Sequence, residues 1–129
     1  MFNKLFGKSN ENKTKKEEVN PNINWIPLTS LEQIEKIAKD SKNKPVGIFK
    51  HSTRCSISTN VAKRFEKSFP KDANITMYFI DLLNYREVSQ EVGFKFQVVH
   101  QSPQFLLIDN GKAIKHASHY DILGLDLSA

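Results

Sequence analysis

One thiol sets the chemistry open to this chain. Cys55, the only cysteine among 129 residues, stands in the stretch FKHSTRCSIS, between an apolar run and a segment of helical periodicity. A free thiol has a pKa of about 8.5, so only a few per cent is thiolate at neutral pH, and the thiolate is the nucleophile. At a helix start the anion meets unpaired backbone N–H groups and the positive end of the macrodipole, which favour it. Arg54 is adjacent, and Lys50 and His51 are close in sequence. A free cysteine is most often a small buried hydrophobe. Ser52, Thr53, Ser56 and Ser58 make a poor shell for that fate and a good one for an exposed thiolate.

The reaction this implies is thiol–disulfide exchange. With no second cysteine, Cys55 can attack a mixed disulfide but cannot release itself, so a small thiol must complete the turnover. Arg54, His51, Ser56 and Ser58 are the candidates for stabilising the thiolate or moving a proton. His51 is either a proton donor to the leaving thiolate or a polar residue at a strand end. Lys50, Thr53 and His100 are candidates for binding the thiol substrate, with a structural hydrogen-bonding role as the alternative for His100. His116 and His119 read as surface. His51, Cys55 and His100 are three loose ligands without a defined metal-site spacing, so no metal is expected.

The elements that must position these residues alternate strand and helix. Trp25 to Leu28 is a short apolar opening, and TSLEQIEKIAKD places Leu31, Ile34, Ile37 and Ala38 on one helical face. Thr29 and Ser30 each have Glu or Gln three residues on, a capping-box signal. PVGIFK, residues 45–50, is too short for a helix and suits a buried strand. The next helix begins at Cys55, with Ile57, Val61, Phe65 and Phe69 as its buried face beside Ala62, and Pro70 stops it. ITMYFI, residues 75–80, is a second central strand. Asn84 with Glu87 caps a short helix that Gly93 ends. QFLLIDNGKAIKHAS reads as strand, Asp-Asn-Gly turn and strand, a hairpin, with a last short helix after Ser118. The order β-α-β-α-β-α-β-β-α predicts an α/β domain whose central mixed sheet is flanked by helices.

Length and composition bound the rest. The chain suits one domain, and a lone cysteine excludes a disulfide framework. Residues 1–22 carry five lysines and three glutamates with almost nothing to bury, the composition of a disordered polar tail, so the domain is expected over 23–129. Phe2, Leu5 and Phe6 share a helical spacing too short to be more than a marginal anchor, and no apolar run reaches the length of a signal peptide or membrane span. The net charge of +5 is scattered among acids, not gathered into a stripe. A cytoplasmic protein with no membrane or nucleic-acid partner is expected.

Cys55 after a buried strand, together with Pro103 before the strand that opens the hairpin, resembles the thioredoxin fold, in which the active cysteine faces a cis-proline. More closely, IFKHSTRCSIS and HQSPQ resemble the monothiol bacilliredoxins of the YtxJ type, over about Trp25 to the C-terminus. The resemblance implies a cis Ser102–Pro103 bond, with Ser102 and Pro103 pairing with an extended thiol ligand. It implies bacillithiol as co-substrate, bacillithiolated proteins as clients and no tightly bound cofactor; a monomer or weak homodimer is expected, with the oligomeric state left open by the sequence. The malate carboxylates of bacillithiol would suit the helix start and Arg54 or Lys50. Where that family has proline after the cysteine, Ser56 stands here and adds a backbone donor. FKFQVVH is longer than the family pattern leads one to expect.

Two other readings fit parts of this pattern. A one-cysteine peroxidase also sets a thiolate at a helix start, and Ser52 satisfies its demand three residues before the cysteine, but Ile48 stands where its proline belongs. A non-enzymatic thioredoxin-fold adaptor would need no reactive thiol.

Overall fold

The structure, a computed structural model, describes residues 23–127. The segment read as a polar tail, 1–22, lies outside the described residues. Five strands and three helices follow in the expected order: β1 (Ile26–Pro27), α1 (Leu31–Asp40), β2 (Val46–His51), α2 (Ser56–Ser68), β3 (Thr76–Asp81), α3 (Arg86–Phe96), β4 (Gln104–Asp109) and β5 (Lys112–Ser118). The last expected helix is a 3-10 turn, His119–Gly124.

The strands form one mixed sheet in the order β1-β3-β2-β4-β5. β2 runs parallel to β3 and antiparallel to β4, because a crossover helix joins the first pair and a return segment the second. β2 is therefore the central strand, and its residues alternate between two cores. Val46 and Ile48 join Ile34, Ile37, Val88 and Val92 on the α1 and α3 side. Phe49 joins Val61, Phe65 and Phe105 on the α2 side, where Phe65 lies 5.2 Å from both other rings.

Local chemistry sets the element ends. Ser30 caps α1 as a capping box, its hydroxyl accepting from Gln33 N while Gln33 Oε1 accepts from Ser30 N. α2 stops because Phe69, held extended by Pro70, cannot continue the helix. The hairpin turns at Asn110 and Gly111, both at positive φ, a two-residue turn matching the twist of its strands. That turn is fastened to the end of α1: Asn110 N–H donates to Ser41 O and Gly111 N–H to Ser41 Oγ, at 2.9 and 2.8 Å.

Three expectations are corrected. α2 begins at Ser56 with Cys55 as its N-cap, and Ile57, expected in the core, is 40% exposed, while Ser58 takes the inward place. Asn84 does not cap α3; its side chain donates to Asp81 Oδ2 at 2.7 Å, and Tyr85 is the N-cap. α3 runs through Gly93 to Phe96, because Val92 and Phe96 keep its apolar period on the core, and it ends at Gln97 in the left-handed region. Gly93 is needed for another reason. A Cβ there would lie 2.8 Å from Val98 O, so glycine lets the segment after α3 fold back tightly onto the helix. Three of the seven residues of FKFQVVH thus complete α3.

Candidate active site

β2 ends at His51, and β4 begins beside it, with Lys50 opposite Gln104. The loop leading to Cys55 and the segment leading to Pro103 therefore leave the sheet at the same end. The Ser102–Pro103 peptide bond is cis. Pro103 is buried, and Ser102 Oγ is buried without a hydrogen-bond partner among the described residues.

Cys55 is half-buried at the N-cap of α2. Its backbone N–H donates to Ser52 O at 3.1 Å and its carbonyl accepts from Thr59 N at 3.0 Å, so the thiol-bearing residue is held at both ends. Its side chain makes no capping hydrogen bond, and the first turn carries no acid. The first-turn amides are thus offered to an anion at the helix end with no carboxylate competing. Thr53, Arg54 and Ser56 are exposed, and with Thr59, Asn60 and Lys63 they line an open cleft of about 430 Å³. Arg54 and Lys63 make that cleft basic.

Ser58 and His51 sit beneath this turn. The buried Ser58 hydroxyl lies 2.7 Å from His51 Nδ1 and accepts from Ser52 N–H at 3.0 Å, so it binds the loop to the helix. Ser58 stands at the spacing of the second thiol of a C-x-x-C redox motif. A hydroxyl already engaged by two partners occupies that place. Ser58 thus has an anchoring role beside the one expected of it at the thiolate. Burial pushes the His51 pKa below its ordinary 6.5 against the opposing pull of Asp81 and Glu66. That favours the neutral ring, which suits accepting a proton better than donating one, the first of the two roles open to it from sequence.

Lys50 lies elsewhere. Neighbouring strand positions face opposite sides, so Lys50 points to the α3 side, where it is fully buried. Its Nζ is 3.0 Å from His100 Nδ1, with Ser89 Oγ 3.5 Å from the same atom. Burial lowers the Lys50 pKa to about 8. An ammonium sealed under the sheet edge cannot touch a ligand at the helix start, which corrects that expectation. His100 is exposed, and burial of its ring, then Lys50 and Arg86, lower its pKa. His51 and His100 each have a different partner on a different face, and among the described residues no group of three His, Cys, Asp or Glu is placed to hold a metal.

Sequence reading passed over the residues that hold the Pro103 segment. Gln104 Nε2 donates to Val99 O at 2.8 Å, and its Oε1 accepts from Gln101 N at 3.4 Å. Ser89 and Gln104 are both buried. The signal was available: each is a polar residue set among apolar ones on a core-facing position.

The family model of the monothiol bacilliredoxin BrxC matches residues 26–127. The chain belongs to the monothiol bacilliredoxin family. Among solved structures it is similar to one described as a candidate oxidoreductase with a thioredoxin fold, at 32% identity and a TM-score of 0.67, over 78% of this chain and 88% of that one. Two thioredoxins share the fold at lower identity. That of Trypanosoma brucei brucei is 18% identical, TM-score 0.62, over 76% of this chain and 80% of its own. That of Malassezia sympodialis is 24% identical, TM-score 0.58, over 74% and 78%. The family and its oxidoreductase neighbour make this bacilliredoxin-family chain a thiol–disulfide oxidoreductase of the thioredoxin fold. Among the described residues no helix is long and apolar enough to cross a membrane.

Proposed function

We propose that the protein removes bacillithiol, or a similar low-molecular-weight thiol, from protein mixed disulfides, with Cys55 as the sole nucleophile. The observation that carries this reading is Cys55 at an uncapped helix N-terminus, with a hydroxyl and not a thiol at position 58. The Cys55 thiolate attacks the small-thiol sulfur of the client disulfide. A Cys55–small-thiol disulfide forms, the client sulfur leaves as thiolate and takes a proton from solvent. A second small-thiol thiolate then attacks the sulfur of the small thiol on Cys55, giving the symmetrical small disulfide and restoring Cys55. Arg54 and Lys63 beside the helix start attract the carboxylates of the small thiol. Ser102 offers the backbone against which the extended ligand lies. The clients are bacillithiolated proteins, and the reaction needs a reducing compartment, for which the cytoplasm is suited.

Rapid mixing of the protein with a bacillithiolated model protein, followed by mass spectrometry, tests this. Transient Cys55–bacillithiol, absent in Cys55→Ser and faster than with a glutathionylated substrate, is the expected result. An unmodified Cys55 beside a substrate that stays capped would overturn it.

A further inference from the structure

Lys50 lies behind His100, fully buried, and Arg86 opens α3 one helical turn before Ser89, whose hydroxyl lies 3.5 Å from His100 Nδ1. Among the described residues the ion pairs are Lys36–Asp40 and Lys95–Glu35, so neither Lys50 nor Arg86 has a carboxylate partner there. A buried cation without a counter-ion is costly, and it raises the potential at the exposed side chain above it.

Hydrogen-bond roles sharpen this. An ammonium has donors and no acceptor, so His100 Nδ1 accepts from Lys50. The neutral ring then carries its proton on Nε2, and His100 is exposed. Lys50 thus fixes the tautomer that carries its N–H on Nε2 and polarises that N–H through the ring. The mount is stiff, because Gly93 lets residues 98–100 pack on α3, and Gln104 holds Val99 and Gln101 from the sheet. Three residues on is Pro103.

We propose that His100 and Arg86, with Lys50 as the positioning residue beneath them, bind a carboxylate of the small thiol and set a preference for acidic over uncharged low-molecular-weight thiols. This rests on the small-thiol reading above and adds a second anion contact, on the α3 side of the cis-proline segment. The first lies at Arg54.

Full-length Cys55→Ser protein is titrated with S-methylbacillithiol and with its malate dimethyl ester, following backbone and His100 ring resonances by NMR. The acid should bind about tenfold tighter than the ester, the worth of one charge-assisted hydrogen bond, with shifts at His100 and Arg86. His100→Phe and Arg86→Gln should each reduce that ratio, and Arg86→Lys should keep most of it, an outcome that a purely structural role would not give. Equal binding of acid and ester, or a ratio unmoved by His100→Phe, would overturn the proposal. So would a peptide disulfide capped with the ester that regains affinity when acidic residues are added to the peptide, since the site would then read the client. A preference found in binding but without exchange at Cys55 sinks the proposed function and leaves this inference standing; exchange without preference does the reverse.

Discussion

His51 Nδ1 and the buried Ser58 hydroxyl lie 2.7 Å apart, tying the last residue of the central strand to the first turn of the thiol-bearing helix. Ser58→Ala removes this tie and leaves the Ser52 N–H without its acceptor. It should cost about 1–3 kcal/mol, the penalty for orphaning a buried polar partner. Urea unfolding and Cys55 exchange rates measured together check this: the midpoint and the rate should both fall. An unchanged midpoint would mean that the loop is held by other contacts.

Ser58→Cys tests the same position in the opposite sense. It supplies the second thiol of a C-x-x-C pair where the backbone already places residue 58 beneath the turn. Once Cys55 is capped, the new thiol should displace the small thiol and form an internal disulfide, so release no longer needs added thiol. Mass spectrometry of the capped variant reads this directly, and a cap that persists as long as in the parent protein would refute it.

Lys50 has a pKa of about 8 in the folded chain and an ordinary value of 10.5 once unfolded. Between those values the unfolded chain holds a proton that the folded chain has released, so this group's contribution to stability rises with pH across the window. Below about pH 8 it is a constant cost, on the order of 3 kcal/mol. Lys50→Met, similar in length and without charge, should therefore be more stable than the parent at pH 7 by about 1–3 kcal/mol. That advantage should shrink between pH 8 and 10. Urea titrations of both proteins at each pH measure the difference, and a variant destabilised at pH 7 would contradict the uncompensated burial.

Ser56→Pro sets a proline directly after Cys55, as the resemblance in the sequence leads one to expect there. Ser56 is the first helical residue of α2 and exposed, a position where proline fits the backbone and its missing N–H breaks no helical bond. Stability should change by no more than about 0.5 kcal/mol. The lost donor should instead lower the reactivity of Cys55 with iodoacetamide at pH 7 severalfold, a rate that a stopped assay gives directly. An unchanged alkylation rate would show that the Ser56 amide does not serve the thiolate.

The succession of strands and helices was legible because apolar runs of fixed length, Pro70 and the Asp-Asn-Gly turn leave few alternatives. The helix faces were less so. Ile57 fits the same helical stripe as Val61 and Phe65, but the stripe begins one residue later, because Ser58 has hydrogen-bond partners inside and the end of the helix rises clear of the core. Hydrophobicity alone cannot see a buried hydroxyl with two hydrogen-bond partners. Lys50 shows the same limit from the other side: a charge beside Cys55 in sequence reads as a ligand contact, while strand alternation turns it to the opposite face. Cys55 itself was legible because its place depends on a junction of elements and not on a partner distant in sequence.

The fastening of the hairpin turn to Ser41 joins residues 70 apart, at the end of the sheet opposite Cys55. Its consequence is an uneven distribution of local opening free energies. Amides near Asn110 and Gly111 should exchange with solvent only when α1 and the hairpin part, so this end of the sheet is among the last to open. A distortion of the loops at the Cys55 end is thus met by a sheet whose register is held from the other end.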